Sequence, residues 1–192
     1  MPGVLAAVVL SAAGLAVQTG WMPATAVDGV AREMAARLGQ ANVGIEPAKL
    51  LPSAEVGVES LRERLEALGV ARVMSLSPRF PRLTLPAAGQ PHLDAMAGYA
   101  MCTYYLEARF ANPPRGAGVD MRLDAAMGPL ALAVTTMYLR HHYLAAGGSD
   151  ERLKDYLAGD ALNEVVAAVQ QDPKLLDYTA AQCRTAVSTL LD

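Results

Sequence analysis

The chain has 192 residues, of which 53% are hydrophobic and 18% charged, with 16 Lys and Arg against 19 Asp and Glu and a formal net charge of −3. That balance disfavours a general nucleic-acid binder, which needs a basic face to displace counterions from phosphates, and equally disfavours electrostatic attachment to anionic lipid. The length corresponds to one domain large enough to bury a core without help.

The first 26 residues carry no charged side chain, the first charge being Asp28. An apolar core from Val4 to Val17 is followed by Ala24-Thr25-Ala26. This is the layout of a secretory signal, an apolar stretch ahead of an A-x-A cleavage site, although its n-region lacks Lys and Arg. The core is shorter than the roughly 20 apolar residues of a membrane span. The reading is a signal peptide over 1–26, N-terminal helices and a proline-rich connection over 27–91, and a C-terminal bundle over 92–192. The protein is expected to be periplasmic or extracellular, with no membrane span after cleavage.

Residues 28–41 are predicted to form a short helix, with Val30, Met34 and Leu38 at four-residue spacing and Asp28 as N-cap. Residues 42–53 carry Gly44, Pro47 and Pro52 and predict a loop. A second helix follows over 54–68, its apolar stripe Val58, Leu61, Leu65 and Leu68, with Gly69 as its stop. The stretch 70–91 has the least helical pattern. VARVMSLS and RLTL suit short strands, and Pro78, Pro81, Pro86 and Pro91 predict an extended connection.

The C-terminal portion has the clearest periodicity. Leu93, Met96, Ala97, Ala100, Met101, Tyr104, Tyr105 and Ala108 mark one helical face over 93–109. The breaker run Asn112 to Gly116 ends it. Residues 120–146 predict a long helix that is apolar almost all round, as suits the middle of a bundle. Gly128-Pro129 inside it predicts a kink or a break. Gly147-Gly148 should end it and Ser149 cap the next, short segment, 150–158. Further helices are expected over 161–171 and from a capping box at Thr179 to Gln182, the last with Ala180, Cys183, Val187 and Leu190 inward. The fold class is therefore all-α, a bundle of four to five C-terminal helices with a smaller N-terminal helical portion and one disulfide.

Few residues point to chemistry. The two cysteines, Cys102 and Cys183, form an even pair without C-x-x-C spacing, and each falls on or beside an apolar helix stripe. In an oxidising compartment they are expected to pair. Tyr138, Arg140, His141, His142 and Tyr143 form the densest polar and aromatic cluster. A histidine there is a candidate general base, with a carboxylate, for a small hydrolase-like enzyme. The simpler reading is that these cations meet the negative end of a helix. No H-x-x-x-H or H-E-x-x-H is present. A helical-bundle haem or metal carrier would draw its ligands from His142, His141, Met137 or His92. Glu107, Arg109, Asp120, Arg122 and Asp124 read as solvated charges at loop ends, and Arg79, Phe80, Arg82 and Leu83 as a small basic-apolar patch. No motif calls for a cofactor. The favoured role is a non-catalytic binding or interaction protein, an inhibitor or accessory factor, whose partner is a protein or small molecule.

Overall fold

The computed structural model describes residues 21–41, 45–78, 91–111, 115–116, 119–155, 167, 171 and 175–191. Among them are seven helices and no strand: α1 (Ala24–Gln40), α2 (Pro47–Leu68), α3 (Val70–Leu76), α4 (Pro91–Ala111), α5 (Val119–Ala145), α6 (Asp150–Asp155) and α7 (Leu175–Leu191). The expected helix over 161–171, apart from Ala167 and Gln171, the Arg79–Leu83 patch and the apolar segment 4–17 lie outside the described residues.

The largest interface joins α4 to α5, and a second pairs α1 with α2. Helix α5 also meets α1, α2, α3 and α7, which makes it the centre of the bundle. Its sequence explains that place. Every residue from Gly128 to Arg140 is buried, and Thr135, Thr136 and Arg140 find partners within the helix or at a neighbouring carboxylate. The hydroxyls of Thr135 and Thr136 donate back to the carbonyls of Ala131 and Leu132 at 2.8 and 2.9 Å. Leu106, near the end of α4, lies against Gly128, whereas His92, at its start, faces Tyr143 near the end of α5. The two helices therefore run antiparallel. One continuous core reaches from Trp21 to Leu190.

Five local expectations change. Helix α1 starts at Ala24 rather than at Asp28, with Pro23 as its N-cap and no side-chain cap bond. The Pro23 carbonyl accepts from the amides of Ala26 and Val27 at 2.8 and 3.1 Å, and Asp28 is an exposed residue inside the helix. Helix α2 starts at Pro47, so most of the expected 42–53 loop is helical. Proline suits a first helical position, and Pro52, one turn on, removes a single backbone bond. Leu50 and Leu51 pack against the core and offset that loss. Gly69 ends α2 as expected, at φ +75°, but the next element is the helix α3 and no strand. Val73, fully buried, holds α3 to the core, and Ser77 is extended ahead of Pro78. Last, α5 runs through Pro129 without a break. Pro129 is fully buried beside Gly128, where α4 and α7 both press on the helix. Packing on several sides there overrides the local cost of the proline. Helix α7 also begins four residues ahead of the predicted capping box at Thr179.

Long-range ties close the bundle. Cys102 of α4 and Cys183 of α7 form a disulfide with Cα atoms 5.3 Å apart, and both are fully buried. The Arg64 guanidinium on α2 donates to the Thr189 carbonyl at the end of α7, 3.1 Å away. Tyr99 of α4 donates its hydroxyl to the Val73 carbonyl of α3 at 2.6 Å, and burial pushes its phenol well above the usual range. The Ser77 hydroxyl donates to the Ala95 carbonyl at 2.8 Å, binding the end of α3 to α4.

Candidate functional site

The polar and aromatic cluster lies where the C-terminal end of α5 meets the N-terminal start of α4. Its positions follow from helical geometry. Tyr138 and His142 are four apart and share a face, with ring centroids 4.6 Å apart and edge to face. His141 and His142 are adjacent, so they diverge around the helix, their rings 5.4 Å apart and nearly perpendicular. His92 enters from α4, its ring 6.3 Å from that of Tyr143. All three histidines of the chain therefore gather at one end of the α4–α5 pair. In sequence His92 stands apart from the other two and enters only as a ligand candidate.

Trp21 completes the cluster. Its ring meets Tyr138 edge to face at 5.1 Å, and its Nε1 donates to Glu66 of α2 at 3.0 Å. Burial, and then the Glu66 charge, raise the Tyr138 phenol above its usual value. Sequence reasoning misses Trp21, because the residue falls inside the apparent leader.

Arg140 ties α5 to α6. Its Nε and Nη2 both donate to Asp150 of α6, at 3.0 and 2.6 Å, and Lys154 pairs with the same carboxylate at 2.9 Å. Burial works to raise Asp150, but the hydrogen bonds from Lys154 and Arg140, together with their charges, hold the carboxyl below the usual range. The turn that permits this pairing is read easily from sequence. Gly147 sits at φ +87° and ends α5, Gly148 packs against the Tyr143 ring, and the Ser149 hydroxyl accepts from the Arg152 amide at 3.3 Å as the cap of α6. The Ser149 amide in turn donates to the Tyr143 hydroxyl at 3.2 Å.

Nucleophilic or general-base chemistry at a histidine needs a group that orients the imidazole. Asp150 pairs with Arg140 and Lys154, and Glu66 accepts from the Trp21 indole and faces Arg62. Among the described residues no group of three His, Cys, Asp or Glu side chains is arranged to hold a metal ion. Met137 is buried in the core. Of the loop-end charges, Glu107 faces Arg37, a buried arginine on α1, with Nη1 and Oε1 2.8 Å apart but not aligned for a hydrogen bond. The side chains of Arg109, Asp120, Arg122 and Asp124 lie outside the described residues. Of the five tyrosines placed on the central helices, Tyr99, Tyr138 and Tyr143 are core residues, whereas Tyr104 is exposed.

His142 is held below the ordinary histidine range, first by burial and then by the like charges of His141 and His92. The folded chain therefore takes up that proton less readily than the unfolded chain. Stability is present above a pH of about 6.5 and is lost as pH falls from there, levelling off below the folded value. The Asp150 contribution goes in the next window, from about 3.9 down through its lowered folded value. The thermal midpoint is expected to fall between pH 7 and pH 5. In His142→Gln that fall should be smaller, with a stability change at pH 7 of about 1 kcal/mol or less. An identical pH profile in the variant would show that His142 does not carry the effect.

Comparison of the chain with protein-family models, with curated proteins and with solved structures found no match.

Proposed function

We propose that this chain is an exported, disulfide-stapled helical protein that works by binding, as an inhibitor or accessory factor in the periplasm or outside the cell. The observation that carries the reading is the Cys102–Cys183 bridge in the middle of the fold. Such bridges persist in oxidising compartments. The charge-free, apolar start of the chain supports the same compartment. Among the described residues no helix is long and apolar enough to cross a membrane.

The non-catalytic part of the reading is supported by how the cluster is used. Arg140 and Asp150 join α5 to α6, Tyr143 supports the turn between them, and Tyr138 seats Trp21. These are bonds that fix a scaffold, and the histidines lie at its edge with aromatic neighbours.

Fractionation of an exporting host tests the location, and a phenotype of the deletion strain tests the role. The protein is expected in the exported fraction with no reactive thiol under denaturing, non-reducing conditions. A double His141→Gln, His142→Gln chain should restore function to the deletion strain as well as the unaltered chain does. Failure to restore it, with the variant folded and exported, would favour the hydrolase-like reading. A Soret band in the purified protein would favour the haem carrier.

A further inference from the structure

The residues around the expected cleavage site are part of the fold. Trp21 is 8% exposed and Met22 4%, and both belong to the continuous core. Trp21 covers the Tyr138 ring and ties down Glu66. Pro23 accepts the first two amide bonds of α1. Ala24-Thr25-Ala26 is itself the first turn of that helix, with Ala26 buried. A cut after Ala26 would delete the single tryptophan and the cap of α1, and would uncover Tyr138 at the centre of the histidine cluster.

A leader peptidase reads small residues at the third and first positions before the cut, after an apolar core of about 7–15 residues. Upstream of Trp21 the last triplet of that kind is Gly14-Leu15-Ala16. Later triplets ending at Val17, Gln18, Thr19 or Gly20 have a large residue at one or both of the two positions. The stretch ahead of Gly14, Val4 to Ala13, is apolar but for Ser11 and falls in the required length range. We propose that the leader is removed after Ala16, so that the mature chain starts at Val17 and keeps Trp21 as the N-terminal anchor of the fold. This rests on the export reading above, and it separates the signal from the structure at a different residue than the A-x-A pattern alone suggests.

The test is intact mass and N-terminal sequencing of the full chain recovered from the exported fraction of an exporting host. The expected product begins at Val17. Two substitutions distinguish the sites. Ala16→Asp places a charge at the proposed cut and should block processing. Ala24→Asp spoils the Ala24-Thr25-Ala26 site at an exposed helix-start position, where an acidic residue is compatible with the fold, and should leave processing unchanged. An exported product beginning at Val27, or anywhere beyond Trp21, overturns the proposal while keeping export. So does an exported product of full mass, or one processed normally in Ala16→Asp. A full-length chain found only in the cytoplasm overturns the export reading itself.

Discussion

Reduction of the Cys102–Cys183 bridge is expected to lower the thermal midpoint by on the order of 10 °C while leaving the protein folded at room temperature. The two cysteines are 81 residues apart in sequence. Closing a loop of that length in the unfolded chain corresponds to roughly 4.5 kcal/mol in the chain-entropy model, often less in practice. For a chain of this size each kcal/mol moves the midpoint by about 2–4 °C. The fold should survive, because the bridge is an addition to a core that already runs from Trp21 to Leu190. Thermal melts with and without reductant, and of the double Cys102→Ala, Cys183→Ala chain, provide the measurement. A midpoint shift below about 2 °C in both would mean that the bridge constrains little and that packing alone sets the α4–α7 register.

Gly98→Ala is expected to be the most damaging of the small substitutions, at about 2–3 kcal/mol. A Cβ at this position would run into the Pro78 backbone carbonyl and the Ser77 hydroxyl. The carbonyl belongs to the chain that leaves α3, and the hydroxyl is already held by the Ala95 carbonyl. Neither can move without lifting α3 from α4 and disturbing the Tyr99 bond to Val73. Gly29→Ala supplies the contrast. It also lies within a helix, but nothing stands within 4 Å of the added carbon. That exchange should stabilise the protein by about 0.5–1 kcal/mol through the helix preference of alanine. Chemical denaturation of the two variants gives the sign and size of each effect. Equal and small changes at both positions would show that the α3–α4 approach is looser than the structure has it.

Much of the bundle was legible because helical periodicity and chain breakers act locally. The apolar stripe beginning at Leu93 located α4, Gly69 and Gly147-Gly148 located two helix ends, and Ser149 located the start of α6. The cysteine pairing was legible for a related reason, since both residues fell on or beside stripes that had to face inward. The misplaced parts share another cause. Pro52 and Pro129 are local breakers, and their helices persist because neighbouring elements pack on them. In Trp21 and Met22, a short apolar pattern served two readings at once, the tail of a leader and the edge of a core, and only contact with Tyr138 and Glu66 separates them. The gathering of the histidines and the Arg37–Glu107 pair depend on which helices become neighbours, and spacing along one helix carries no information about that.

The bond from Arg64 to the Thr189 carbonyl bears on the order in which the chain can fold as it is made. Its partners are 125 residues apart. Helix α7 supplies one half of the disulfide, the Val187 side chain that lies against Gly128, and the carbonyl that holds α2. Helices α1 to α3 can pair early from nearby sequence, but α4 and α5 have one flank bare until the final helix is synthesised. Contacts this distant are costly to form and slow to arrive. The α4–α7 contacts therefore form only once α7 is present, and Cys102 has no partner until Cys183, 81 residues further on, has been made.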